Sequence, residues 1–264
     1  MVGLMGSHHM RISSRIFQAK TPSTPAGQTG RVPRICSGHF WEATVLKRIS
    51  RMTAAVAGLM LALGTIAPPV TASTAAGYDI DSASSLQVVV NKHRPLDPAT
   101  YVPARLVRVQ GERLRSEAAD AYKLLAKAAK GAGVNIIPVS GYRSYSQQAS
   151  LYDSYVRQYG QATADTLAAR PGFSEHQTGL AMDIGNASGV CALQACFATT
   201  PAGKWAAQNA KTYGFIIRYP SGAEDVTGYT YEPWHLRYVG KELAGQVSTT
   251  LEGYFGLEPA PDYL

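Results

Sequence analysis

The stretch SEHQTGLAMDIG, residues 174–185, places His176 and Asp183 seven positions apart among small or apolar residues. Its second half, GLAMDIG, alternates between two faces, which predicts a β-strand. The large apolar residues of that strand share one face, and Asp183 lies on the other face between two small neighbours. A carboxylate with open space beside it, close to a histidine, indicates a site rather than core packing.

Few other residues could complete such a site. Only three histidines follow residue 72, namely His93, His176 and His235, and His93 stands in the polar stretch NKHRP, where we expect it to be solvated. A single buried histidine is commonly a hydrogen-bonded core residue. Two of them together with Asp183, however, supply two imidazoles and one carboxylate. These are three protein ligands suited to a catalytic zinc, whose fourth position holds water.

A zinc-dependent hydrolase also needs a base that moves a proton. Glu232 comes three residues before His235 in EPWH. Positions that far apart face opposite sides of an ideal strand, but we expect Pro233 to bend the chain so that both can meet. The same ligand types also form the iron site of non-haem oxygenases. The sequence lacks the H-x-D spacing and the run of short strands expected of those enzymes, which favours zinc.

The charges are unevenly distributed along the 264 residues. Residues 1–52 contain eight Lys or Arg and one acid, residues 53–72 contain neither, and the remainder contains 17 basic and 17 acidic residues. The net charge of +7 therefore belongs to the N-terminal segment. Because a nucleic-acid-binding domain needs its own basic surface, we expect no nucleic-acid partner.

Residues 1–72 are typical of a leader that is removed. The basic stretch LKRISRM precedes an apolar run at residues 53–67, and PPVTAS then supplies the small residues of a cleavage site. The run is shorter than the roughly 20 residues that span a bilayer. We predict a disordered leader plus a secretory signal peptide at 1–72 and a secreted domain at 73–264, with an uncleaved anchor as the alternative.

Two of the three cysteines remain once this leader is removed. Cys36 lies within it, whereas Cys191 and Cys196 form a close pair in CALQAC. An isolated pair in a secreted protein favours a disulfide, which for so short a loop stabilises by about 2 kcal/mol in the chain-entropy model. A zinc pair is the alternative, but no histidine is near enough to support it.

Residues 73–264 mix helical and strand periodicities without the regular alternation of βαβ units. We therefore predict an α+β fold in a single domain. Thr200, Pro201 and Gly214 supply helix start and stop signals. The predicted strands lie at the start of 84–103 and within 134–141, 179–185, 215–220 and 232–240; the predicted helices are 113–133, 146–160, 161–172, 199–214 and 241–256.

Three motifs resemble one enzyme family. SGYRS at 140–144, SEHQTGLAMDI at 174–184 and YEPWHLRYVG at 231–240 are similar to the VanY-type zinc D-alanyl-D-alanine carboxypeptidases of the LAS metallopeptidases. The family pattern is H-x6-D followed by E-x-x-H, and this sequence matches every position of it. The resemblance spans roughly residues 86–239. It implies a single compact domain with a small antiparallel sheet and surrounding helices, the LAS or hedgehog-like metallopeptidase fold.

The resemblance also implies a role for each motif residue. Zn²⁺ would be bound by the two histidines and the aspartate already named, and Glu232 would act first as general base and then as general acid. Arg143 of SGYRS would bind the substrate carbonyl or its terminal carboxylate, since a guanidinium is a permanently charged fork of donors. Ser174 and Gln148 would form hydrogen bonds with the substrate.

The implied activity is removal of the terminal D-Ala from peptidoglycan stem peptides. We expect these peptides to be the partner of a monomer in the extracellular cell-wall space, with no membrane span in the mature chain. An L,D-carboxypeptidase or a D,D-dipeptidase of the same fold would carry the same residues. A non-catalytic wall-binding module is the remaining alternative, but such a module should lack a ligand or the base.

Overall fold

Residues 77–264 are described by the computed structural model, so the predicted leader, signal peptide and Cys36 lie outside the described residues. All of the described residues belong to one compact unit. Helices and short antiparallel strands alternate along them, which confirms the predicted α+β class. Between residues 77 and 264, no helix has the length and apolar character that crossing a membrane would demand.

A two-stranded hairpin precedes the first helix. Strand β1 (Leu106–Val109) pairs antiparallel with β2 (Glu112–Arg115), and Gln110 and Gly111 form the turn with positive φ angles of 49° and 101°. Helix α1 then runs over Ser116–Gly131. The prediction of a helix from residue 113 was wrong at its start, because residues 113–115 pair with β1 instead of forming the first turn of the helix.

The site is built on a four-stranded sheet. Its strands are β3 (Ile136–Ser140), β4 (Ala181–Asn186), β5 (Phe215–Ile217) and β6 (His235–Tyr238), in the order β3-β4-β6-β5. Every neighbouring pair is antiparallel. β4 therefore has a hydrogen-bonded partner on both sides, which gives its residues a defined register.

Helices cover the sheet and its ends, as the resemblance implies. After α1, the helices of seven or more residues are α2 (Tyr145–Tyr159), α3 (Gln161–Leu167) and α4 (Pro201–Asn209). The shorter ones are α5 (Glu224–Thr227), α6 (Lys241–Gln246) and α7 (Leu251–Phe255). Single 3-10 turns lie at Glu175–Thr178, Ala195–Thr199 and Ala210–Tyr213.

Helix caps explain where two of these helices begin. The Thr200 hydroxyl accepts a hydrogen bond from the Gly203 N–H, which confirms the predicted N-cap of α4. The Thr250 hydroxyl likewise accepts from the Gly253 N–H at the start of α7. The prediction of one closing helix over 241–256 was wrong, because this second cap starts a new helix after the chain has left α6.

The apolar face of β4 lies in the core, as its alternation predicts. Leu180, Met182 and Ile184 are fully buried in one cluster with the apolar residues of α1 and α4. On the other face, the space beside Gly185 is filled by Val139 of β3, because an added Cβ would lie 2.9 Å from a methyl carbon of that side chain. The predicted open space beside Asp183 therefore does not extend to Gly185.

The LQVVV stretch at residues 86–90, in which the three valines are buried, does not form the predicted strand. Its carbonyl groups are bound by side chains instead of by a neighbouring strand. The Arg237 guanidinium donates to Leu86 O at 3.1 Å and to Val88 O at 2.7 Å. Buried backbone groups need partners, and here an arginine from β6 supplies them.

The predicted disulfide joins Cys191 and Cys196, whose Cα atoms lie 5.5 Å apart. It closes the loop that leads from β4 towards α4. The bridge restricts a connection that has no strand partner of its own.

The close approach of α4 to the preceding turn provides a test of the fold. A Cβ added at Gly203 would lie 2.0 Å from Phe197 O, whereas at Gly245 in α6 nothing lies within 4 Å. We expect Gly203→Ala to lower the free energy of unfolding by about 2–3 kcal/mol through overpacking. Gly245→Ala should raise it by up to about 1 kcal/mol. Urea denaturation measures both values, and equal stabilities would contradict this packing.

Candidate metal centre

Asp183 occupies the middle of the sheet because of strand register. In β4 it pairs with Ser140 of β3 on one side and with His235 of β6 on the other. His176 comes from the 3-10 turn before β4, and Gly179, at φ 69°, turns the chain into the strand. Residues far apart in the sequence are thereby brought to one point on the sheet.

The three predicted metal ligands converge. His176 Nε2 lies 3.4 Å from Asp183 Oδ2, and His235 Nδ1 lies 3.2 Å from Asp183 Oδ1. The two imidazole rings are 5.0 Å apart, and one ligand atom from each of the three residues falls within 4.8 Å of the others. All three side chains are buried. This group could hold a metal ion.

The second nitrogen of each ring determines which nitrogen faces the centre. His176 Nδ1 lies 2.8 Å from Gly141 O, and a carbonyl can only accept, so this nitrogen donates and Nε2 is free to bind a metal. His235 Nε2 lies 3.3 Å from Glu175 Oε2, which leaves Nδ1 facing Asp183. The histidines therefore present different nitrogens to the same place.

The donor set fits a divalent cation. Among the residues that the structure describes, Asp183 Oδ1 is buried without a hydrogen-bond partner, although the His235 ring is near. Burial favours a raised pKa for Asp183, but His176 and His235 outweigh it and hold the pKa well below its usual range. A buried, ionised carboxylate oxygen beside two imidazole nitrogens is a suitable ligand for zinc.

The surroundings of His235 also favour positive charge. Burial lowers the pKa of this ring, but interactions with Asp183 and Glu175 outweigh it and raise the pKa to about 10. Glu232 adds to the effect. The position is therefore electrostatically suited to a cation.

Glu232 lies beside this centre. Its carbonyl accepts the His235 N–H at 3.1 Å across a tight turn, and its Oε2 lies 3.5 Å from His235 Nδ1. The expectation that Pro233 lets these two residues meet is confirmed. Burial raises the pKa of the Glu232 carboxyl to about 7, against the opposing effect of His235. The side chain is 21% exposed, so the carboxylate is not sealed in the interior.

Arg143 reaches the same centre from the end of β3. Its backbone N–H donates to His176 O at 3.2 Å. Its guanidinium donates to Ser140 Oγ and to Gln148 Oε1, both at 2.9 Å. The positive charge is close enough to lower the pKa of Glu232. Arg143 thus lies at the site with its direction set by two hydrogen bonds.

The two predicted substrate-binding residues differ in their surroundings. Gln148 is buried, and both ends of its amide contact the protein, since its nitrogen also donates to Ala169 O at 2.7 Å. Ser174 is buried at the start of the 3-10 turn, and its hydroxyl forms no hydrogen bond with another of residues 77–264. A substrate contact by either residue stays a prediction.

Sequence reasoning missed Glu175. This residue is fully buried, and its Oε1 accepts from Arg218 Nε at 2.8 Å and from Arg237 Nη1 at 2.6 Å. Burial favours a raised pKa, but both guanidinium groups hold the pKa of Glu175 well below its usual range. The only signal in the sequence was an acid next to a ligand histidine in an apolar stretch.

Comparisons with known proteins agree with this geometry. The family model "VanY: D-alanyl-D-alanine carboxypeptidase" matches residues 111–241, which contain every site residue described above. YodJ of Bacillus subtilis (strain 168) is 46% identical in an alignment of 189 positions that covers 67% of this chain and 69% of that protein. The bifunctional D-Ala-D-Ala dipeptidase and carboxypeptidase VanXYC of Enterococcus gallinarum is 34% identical over 67% of this chain and 93% of its own length.

Solved structures of peptidases are also similar to this chain. The LD-carboxypeptidase LdcB is 45% identical with a TM-score of 0.62, over 66% of this chain and 87% of that one. A vancomycin resistance D,D-pentapeptidase VanY in complex with Zn(II) is 33% identical with a TM-score of 0.56, over 66% of this chain and 99% of that one.

The assignment of Asp183 as a metal ligand can be tested by replacing one of its carboxylate oxygens with an NH2 group. Asp183→Asn keeps the shape of the side chain but removes the charge, so we expect zinc affinity to fall more than ~100-fold, beyond the range of an outer-shell change. Asp120→Asn, on an exposed carboxylate of α1, is the matched control and should bind zinc like the wild type. Competition with a chromophoric chelator measures both affinities. Tight zinc binding by Asp183→Asn would exclude this centre.

Proposed function

Because the chain belongs to the VanY family of D-alanyl-D-alanine carboxypeptidases, we propose that it removes the terminal D-Ala from peptidoglycan stem peptides in a zinc-dependent reaction. The observation that carries this proposal is the convergence of His176, Asp183 and His235, with Glu232 beside them. A wall-binding module without catalysis would not need the base. The complete set therefore supports an enzyme.

Zinc would be held by His176 Nε2, the Asp183 carboxylate and His235 Nδ1, the atoms that face one another in the structure. Bound there, the ion supplies Lewis-acid catalysis at the scissile carbonyl. The protein supplies the direction of the first of these ligand rings, because Gly141 O accepts from His176 Nδ1.

Glu232 transfers the proton. It accepts a proton from the attacking water and then donates it to the amino group of the departing D-Ala. The tight turn before β6 holds its carboxylate next to His235, while 21% exposure leaves it open to the substrate. Both steps need a carboxylate that reaches the scissile bond from a defined position.

Arg143 binds negative charge on the substrate, either the oxyanion that develops at the carbonyl or the terminal carboxylate. Ser140 and Gln148 hold its guanidinium in place. We propose that Gln148 contributes through this hydrogen bond. Ser174, with a hydroxyl that has no partner among the described residues, is proposed to bind the substrate directly.

The proposed site of action is the cell-wall space. The leader at residues 1–72, with its apolar run and its small-residue cleavage pattern, supports secretion. The disulfide between Cys191 and Cys196 supports an oxidising compartment. We propose that the mature chain acts there as a monomer on stem peptides.

An L,D-carboxypeptidase is the second candidate, and one observation favours it. The solved L,D-carboxypeptidases LdcB and DacB are 45% and 42% identical to this chain, whereas the D,D-pentapeptidase VanY is 33% identical. The two activities cleave different bonds of the same stem. The zinc centre and Glu232 would serve both, so the choice depends on how the substrate is seated.

Defined stem peptides separate the two candidates. We expect the purified domain at 73–264 to shorten a pentapeptide stem by one D-Ala and to leave a tetrapeptide stem largely intact, as judged by mass spectrometry. Preferred cleavage of the tetrapeptide would establish the L,D activity instead. Binding of stems without cleavage would support the wall-binding module.

The role of Glu232 gives a second test. Glu232→Gln removes the proton carrier but keeps the side-chain size, so we expect kcat to fall about 10³-fold or more while zinc affinity stays close to that of the wild type. Glu224→Gln, at an exposed position of α5, is the control and should retain full activity. Steady-state kinetics with a pentapeptide stem gives kcat. Substantial turnover by Glu232→Gln would remove this residue from the mechanism.

A further inference from the structure

A buried ion network lies directly behind the metal centre. It consists of Glu175, Arg218, Arg237 and Glu252, and all four side chains are fully buried. Arg218 bridges the two acids, because its Nε donates to Glu175 and its two terminal nitrogens donate to Glu252. Two positive and two negative groups balance each other. Such a balance is needed where charges lie away from water.

The network directs one carboxylate oxygen of Glu175 towards His235. Oε1 is occupied by two guanidinium groups, from Arg218 and Arg237. Oε2 lies 3.3 Å from His235 Nε2, its hydrogen-bond partner within residues 77–264. The two guanidinium groups that bind Oε1 constrain the plane of the carboxylate and so direct its second oxygen towards the ring. The position of Oε2 is therefore set by residues outside the metal centre.

We propose that Glu175 is a positioning residue for the metal centre, which accepts the Nε2–H of His235 and so keeps Nδ1 of that ring free to bind the metal. This inference rests on the ligand assignment under the proposed function. Partners of this kind fix both the orientation and the tautomer of a ligand histidine. Here the partner is itself held by two buried arginines.

The same contacts tie distant parts of the chain to the centre. Arg237 also binds the carbonyls of Leu86 and Val88, and the Asn91 amide donates to Glu252 at 3.0 Å. The buried segment that forms no strand thus contacts the network from one side, and α7 contacts it from the other. The position of Glu175 therefore depends on the packing of this segment and of α7.

Glu175→Gln gives a defined disturbance of this arrangement. The amide oxygen must face the two guanidinium groups, because an NH2 group there would place donors against donors. The NH2 group then faces His235 Nε2, which must accept a hydrogen bond. The ring proton moves to Nδ1, the nitrogen that faces Asp183. We expect zinc affinity to fall about 10- to 100-fold, as for other outer-shell changes.

Glu252→Gln is the matched control. It makes the same change of size and charge in the same buried network, but Glu252 contacts Arg218 and not His235. Both variants should unfold more easily than the wild type. Only Glu175→Gln should lose zinc affinity beyond threefold in competition with a chromophoric chelator. Equal losses in the two variants would show that charge or stability alone matters and would overturn the proposal.

A measurement on the wild type covers the case in which Glu175→Gln does not fold. In the zinc-loaded, ¹⁵N-labelled domain, we expect His235 to bind zinc through Nδ1 and to show a hydrogen-bonded proton on Nε2. Binding through Nε2 would overturn the role of Glu175.

The same experiments separate this inference from the proposed function. A wild type that binds no zinc, or a His176→Ala variant that binds it equally well, would refute the ligand assignment itself. A wild type that binds zinc tightly, with unchanged affinity in Glu175→Gln, would refute only the positioning role.

Discussion

The pairing of Asp183 with His235 across β4 and β6 is the contact on which the site depends. Side chains alternate along a strand, so a register slip of one residue would turn Asp183 into the core and bring Met182 or Ile184 to the site. The burial of those apolar residues opposes such a slip. Core packing on one face of β4 therefore holds the three predicted metal ligands together on the other face.

Charge burial behind the sheet is the second organising constraint. Glu175 and Glu252 are buried with Arg218 and Arg237, and loss of any one of them would leave an unpaired charge in the interior. Removal of one of these side chains would therefore lower the free energy of unfolding. The imidazole of His235 contacts this network through Glu175.

Much of the molecule was predictable because its signals are local. The alternation of GLAMDIG identified β4, and the cap at Thr200 identified the start of α4. Errors arose where a non-local contact outweighed local propensity. Residues 113–115 are good helix formers but pair with β1, and residues 86–90 look like a strand, yet arginine side chains satisfy their carbonyls.

The sequence by itself determined which residues are the candidates for the chemistry, since the spacing of His176, Asp183, Glu232 and His235 is a property of the chain. Only the tertiary structure decided which nitrogen of each ring faces the centre, and it alone brought Glu175 into contact with His235. The physical reason is that a tautomer is set by the partner of the opposite nitrogen. That partner comes from a part of the chain whose position depends on how strands and buried charges pack.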